Sequence, residues 1–150
     1  QDNLLPLYAD LKEKVLTKLP EGTQYELIMV DDGSKDNSYK VMQELAKIDS
    51  NIKLAWLIKE KINNENINKL LKINGTQICP KADNVTKDDI ELADKNGLRV
   101  RLWGVSNEKI MQEVYKFDID GMTVNFPDKL QHLIENKDNC KACTHNYYSL

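Results

Sequence analysis

The sequence predicts an α/β domain in which one helix precedes five βα units arranged around a parallel sheet. Three observations lead there. Apolar runs of strand length alternate five times with segments of helical periodicity. The longest of those runs, Ile52 to Ile58, is apolar at nearly every position, as a strand covered on both faces is. No linker rich in Pro, Gly or Ser and no low-complexity block interrupts the alternation. Alternation at this spacing requires right-handed helical crossovers between parallel strands. Residues 1–136 form the single domain, and 137–150 a polar tail.

Each element has its own signal. Leu11, Val15, Leu16 and Leu19 recur at helical spacing, which predicts a helix over 4–19, stopped by Pro20-Glu21-Gly22. Tyr25 to Val30 reads as the first strand. Asp36 or Ser38 caps the helix behind it, which runs to Ile48. After the second strand, Ile67, Leu70, Leu71 and Ile73 mark a helix ending at Asn74-Gly75. Thr76 to Cys79 is a short strand closed by Pro80. Thr86-Lys87-Asp88-Asp89 has the form of a capping box, and its helix ends at Asn96-Gly97. Leu98 to Gly104 is the fourth strand, followed by a helix capped by Ser106. Gly121 to Val124 is the fifth, and Pro127 suits the first turn of a final helix.

Composition narrows the function. The chain of 150 residues is 41% hydrophobic and 30% charged, with a formal net charge of -3. That balance speaks against nucleic acid, which calls for a concentrated basic patch. No apolar run is long enough for a membrane span, and the first residues lack the pattern of a signal peptide. A cytoplasmic location is expected. Three cysteines do not make a disulfide framework. Cys140, Cys143 and His145 offer three ligands where a closed zinc site needs four, so no metal site is assigned. His132 is placed at a boundary of the last helix.

Parallel strands turn all their carboxyl ends to one rim, where α/β proteins bind ligands. The candidates there are Asp31, Asp32, Ser34, Lys59, Asp83, Trp103 and Asn125, suited to a nucleotide or a phosphorylated small molecule. The same residues serve as turn and capping groups without a ligand. Trp56 and Trp103 fall within strands, where a core role competes with a pocket role. Nothing among these residues marks a catalytic group.

Two stretches carry family resemblances. Residues 1–53 include Asn3-Leu4-Leu5-Pro6-Leu7, Tyr25 through Ser38 with its Val30-Asp31-Asp32-Gly33-Ser34 turn, and Leu45 through Lys53. They resemble glycosyltransferase family 2. The resemblance implies that Asp31 and Asp32 hold the base of a nucleotide-sugar donor, a role a carboxylate can fill by accepting from a base N–H. The family's first strand, its metal-binding Asp-x-Asp and its catalytic base have no counterpart. Asp118-Ile119-Asp120 spells Asp-x-Asp, but in surroundings that belong to the second resemblance.

From Ile52 to Leu133 the carrying residues are Leu54-Ala55-Trp56-Leu57, Ile78 through Thr86, Asn96 through Val105 and Asp120 through Asp128. This stretch looks like the C-terminal half of a glycerophosphodiester phosphodiesterase, a (βα)8 barrel, and implies its last four strands. Trp103 matches a position lining that family's substrate pocket. The family's His-Arg-Gly turn, metal-binding Glu and Asp set and second histidine are absent, and His132 and His145 lie in other contexts. The expectation is therefore a chimeric α/β domain, inactive alone and without a cofactor, although both parents use a divalent metal. The alternatives are a phosphodiester hydrolase completed by a partner or missing half, and nucleotide-sugar binding.

Five sequential barrel strands do not close. Either the sheet flattens and re-orders into a doubly wound sheet, or it remains a half-barrel whose open edges invite a homodimer.

Overall fold

The structure, a computed structural model, describes residues 2–31 and 34–138. Asp32 and the Cys140, Cys143 and His145 cluster lie outside the described residues. Helix α1 spans Leu4–Lys14 and gives way to a 3-10 turn at Leu16–Lys18. Five βα units follow: β1 (Leu27–Asp31) and α2 (Ser38–Ile48); β2 (Ile52–Ile58) and α3 (Asn64–Leu71); β3 (Gln77–Pro80) and α4 (Lys87–Lys95); β4 (Arg99–Val105) and α5 (Glu108–Val114); β5 (Gly121–Val124) and α6 (Pro127–Asp138).

The sheet is parallel and its strands lie in the order β1-β2-β3-β4-β5. Met29 pairs with Leu54, Leu57 with Cys79, Gln77 with Arg99 and Leu102 with Met122. A doubly wound sheet reverses its strand order at a switch point. Here the order never reverses, so the half-barrel is the arrangement adopted. The sheet curls far enough that Ile28 and Val30 of β1 and Thr123 of β5 border one hollow of about 390 Å³.

The convex side carries the stability. Ile67, Leu70, Ile78, Ile90, Val100, Leu102 and Met111 form one buried cluster between the sheet and its helices. Tyr8, Met42, Leu45, Ile52 and Leu54 form a second, under α1 and α2. Each fully buried Leu or Ile contributes roughly 1.5–3 kcal/mol, so these clusters outweigh anything on the open concave side. The concave side is where the expectation of strands apolar on both faces fails. Along β4, exposed Arg99 and Arg101 alternate with buried Val100 and Leu102. Water reaches that face, so cations are tolerated there.

Helix ends follow local chemistry. Thr86 and Asp89 form the expected capping box, with the Asp89 carboxylate accepting from the Thr86 N–H at 2.8 Å. At α2 the cap position is Asn37, not Asp36 or Ser38, and the Asp36 carboxylate accepts from the Ser38 N–H at 2.9 Å where the helix begins. At α5 the cap is Asn107, not Ser106, because its side-chain oxygen reaches the Ile110 N–H at 3.0 Å. Asn74 turns the chain behind α3 at φ 56°, and the Gly75 N–H then donates to the Leu70 carbonyl at 2.9 Å.

The N-terminal helix is shorter than its periodicity implies. Val15 is 46% exposed, and the buried contact is Tyr8 instead. The Tyr8 hydroxyl donates to Asp49 at 2.8 Å, and Tyr25 reaches the same oxygen at 3.4 Å. This clip fixes the face of α1 that meets α2, and Leu11, Val15, Leu16 and Leu19 follow that register rather than setting it.

Candidate functional site

The carboxyl ends of the strands form one rim, and Trp103 is its centre. Trp103 is half-buried in β4 and borders the hollow. Its indole N–H donates to the Cys79 carbonyl at 3.0 Å and the Ile58 carbonyl at 3.2 Å, tying together the ends of three strands. The ring is thereby locked with its N–H spent on the backbone. Trp56, by contrast, packs against the convex core.

A bulge follows this position. Leu102 pairs with Met122 and Val105 with Val124, so β4 spends one residue more than β5 between those pairs. Trp103 faces the hollow in step with Arg99 and Arg101, and the extra residue lets Val105 return to the core at 3% exposure. Gly104 absorbs the bend at φ 72°, and a Cβ there would press on Lys81 Cγ at 3.2 Å. Lys81 thus lies across the glycine, beside Trp103, with which it bridges. Its ammonium pairs with Asp83 at 2.7 Å.

The other sequence-derived candidates are placed as follows. Asp31 ends β1, at the open edge of the sheet. Ser34, Lys59, Asp83 and Asn125 are exposed. The Lys59 carbonyl accepts from the Asn84 side chain at 2.8 Å, which joins the β2 and β3 ends. Lys59, Asp83 and Trp103 therefore share the β2–β4 part of the rim, while Asp31 belongs to the far edge strand. The Asp-x-Asp sequence is structural at Asp120, whose carboxylate accepts from the Val100 N–H at 2.6 Å and pairs with Arg99 at 3.1 Å.

Below the rim, the hollow contains groups that motif reasoning passed over. Gln77, Cys79, Arg101 and Thr123 line it together with Ile28, Val30 and Leu57. Burial pushes the Cys79 thiol up to about 11, partly offset by the neighbouring Arg101 charge, so the thiol stays protonated and inert at neutral pH. The signal for this set was the alternation of Arg99 and Arg101 with Val100 and Leu102. Among the described residues no group of three or more His, Cys, Asp or Glu side chains could hold a metal ion. Among them, too, no helix is long and apolar enough to cross a membrane.

With this curled, sequentially ordered sheet on the page, the family match is decisive: residues 28–129 fit the glycerophosphoryl diester phosphodiesterase family. The chain belongs to that family. The match begins in β1 and runs through the junction near Asn51 that the two resemblances had implied. Solved structures of similar fold include an Oleispira antarctica phosphodiesterase in complex with sn-glycerol-3-phosphate. It has a TM-score of 0.65 and 13% identity, over 85% of this chain and 48% of that one. A putative glycerophosphodiester phosphodiesterase from Galdieria sulphuraria gives 0.67 and 12%, over 88% and 50%. The chain spans about half the length of these two proteins. A separate match links it to an undecaprenyl-phosphate 4-deoxy-4-formamido-L-arabinose transferase of Proteus mirabilis (strain HI4320). That match is 39% identical over 64 residues, 37% of this chain and 19% of the transferase.

Proposed function

We propose that the chain is the ligand-holding half of a glycerophosphodiester phosphodiesterase-type barrel and has no hydrolytic turnover alone. The observation that carries this reading is Trp103, locked at the rim by its bonds to Ile58 and Cys79, with its backbone bridged to that of Lys81. An aromatic wall next to ammonium groups suits a glycerol backbone ending in a phosphate. Lys59 adds a second cation, Asp83 orients Lys81, and Ser34 and Asn125 supply neutral hydrogen-bonding groups. The Oleispira antarctica structure with sn-glycerol-3-phosphate supports the choice of ligand.

Diester hydrolysis on a metal needs a set of carboxylate or histidine donors and a proton donor. The described residues do not fit such an ion, so no hydrolytic step is assigned to them and no cofactor is named. The test has two arms. Calorimetric titration with sn-glycerol 3-phosphate is expected to show binding that Lys81→Ala weakens. Incubation with a glycerophosphodiester and magnesium or calcium is expected to give no product above the protein-free control. Absence of binding defeats the ligand assignment, and metal-dependent turnover defeats the claim of inactivity.

A second reading rests on the transferase match. In it, residues 1–53 are a transferase-derived segment fused to a phosphodiesterase half-barrel, and Asp31 and Asp32 hold a nucleotide sugar. Titration with a uridine diphosphate sugar is expected to give heat that Asp31→Asn removes, and silence at millimolar ligand discards it.

A further inference from the structure

We infer that the concave face and the two free sheet edges form a self-association surface whose partner is a second copy of this chain. Among the described residues no strand pairs with the outer edge of β1 or of β5. At β1 the concave side presents apolar groups to water, Ile28 at 41% exposure and Val30 at 51%. Open, flat, apolar strand edges recruit further strands. The edges match in direction and nearly in length, five residues in β1 and four in β5. About a twofold axis running along the barrel axis, β5 of each copy meets β1 of the other in parallel. Both edges then close at once and the two hollows face each other.

Charge selects a second copy over an arbitrary strand. Arg101 projects into the hollow and carries no ion pair among the described residues. Its side chain lies over Gly121 of β5, with Cγ, Cζ and a terminal nitrogen each 3.8 Å from where a Cβ would stand. Because Gly121 has no side chain, the guanidinium rests over β5, the strand that forms the free edge. Glu26, immediately before β1, is exposed and lines an adjacent recess with Ile28, Lys53, Gln77 and Arg99. When β5 meets β1 of a second copy, the partner copy's carboxylate arrives on the side that Arg101 reaches. The pair forms twice, once at each seam.

Light scattering after gel filtration of the full chain is expected to give twice the monomer mass at micromolar concentration. Glu26→Arg and Arg101→Glu are each expected to give monomers with unchanged circular dichroism. Mixing the two variants re-forms an oppositely charged pair at both seams and is expected to restore the dimer. Should Arg101→Glu fail to fold, Val30→Lys with Glu26→Arg provides the independent loss of association. A monomeric wild type at high concentration, or a dimer indifferent to both charge reversals, overturns the inference.

Discussion

Replacing Trp103 by Phe keeps an aromatic ring over the hollow and removes one hydrogen-bond donor. That donor serves two acceptors, the Cys79 carbonyl at 3.0 Å and the Ile58 carbonyl at 3.2 Å. An intramolecular hydrogen bond contributes about 1 kcal/mol net, and a buried acceptor left without a donor costs about 1–3 kcal/mol. The hollow is open to water, which can replace the lost donor, so the lower figure applies, about 1 kcal/mol. A domain of this size then loses roughly 4 °C in Tm. With a urea slope of roughly 2 kcal/mol per molar, the unfolding midpoint moves down by about 0.5 M. Trp56→Phe is the control, since it trims the same ring on the convex side, where the indole makes no hydrogen bond among the described residues. The expected result is an unchanged slope and a larger loss for Trp103→Phe than for Trp56→Phe. Ligand binding separates the ring from its N–H: affinity for sn-glycerol 3-phosphate is retained in Trp103→Phe and falls in Trp103→Ala. If Trp103→Phe is no less stable than the control, the indole does not tie the strand ends together.

Three further perturbations follow. Gly75→Ala drives a methyl into the Leu70 side chain, which is fully buried, and to 3.0 Å from the Leu70 carbonyl, so overpacking of about 1–3 kcal/mol is expected in chemical denaturation. Asn107→Ala removes the cap of α5 and is expected to lose about 1 kcal/mol, whereas Ser106→Ala is expected to lose almost nothing. Tyr8→Phe breaks the hydrogen bond to Asp49 and is expected to lose about 1.5 kcal/mol at neutral pH. Burial and the Asp49 carboxylate push the Tyr8 hydroxyl up from 10.0 to about 12, while the Asn51 N–H and the two tyrosines hold Asp49 below 3.8. The stabilisation is therefore complete between about pH 5 and pH 9. It is lost as acid passes through the depressed Asp49 value, and again as alkali rises from 10 toward 12. A wild-type advantage over Tyr8→Phe that persists at both extremes would sink this assignment.

The order of elements was legible from Leu4 to the last helix because each signal is local. Capping at Thr86-Asp89, the turns at Asn74 and Gly97 and the apolar run of β2 each depend on neighbours a few residues away. The strand direction followed from the same alternation. Three things were decided only in three dimensions. The sheet kept sequential order and curled, so one face of β4 was left to water and its arginines made sense. The face of α1 was chosen by the hydroxyl of Tyr8 meeting Asp49, 41 residues away, against the helical stripe of Val15 and Leu16. The bulge at Gly104 returned Val105 to the core, where strict alternation puts it on the concave side with Arg101 and Trp103. In each case the deciding contact joins residues far apart in the chain. Periodicity records how a side chain recurs along one element, whereas the face that recurrence meets depends on how separate elements pack.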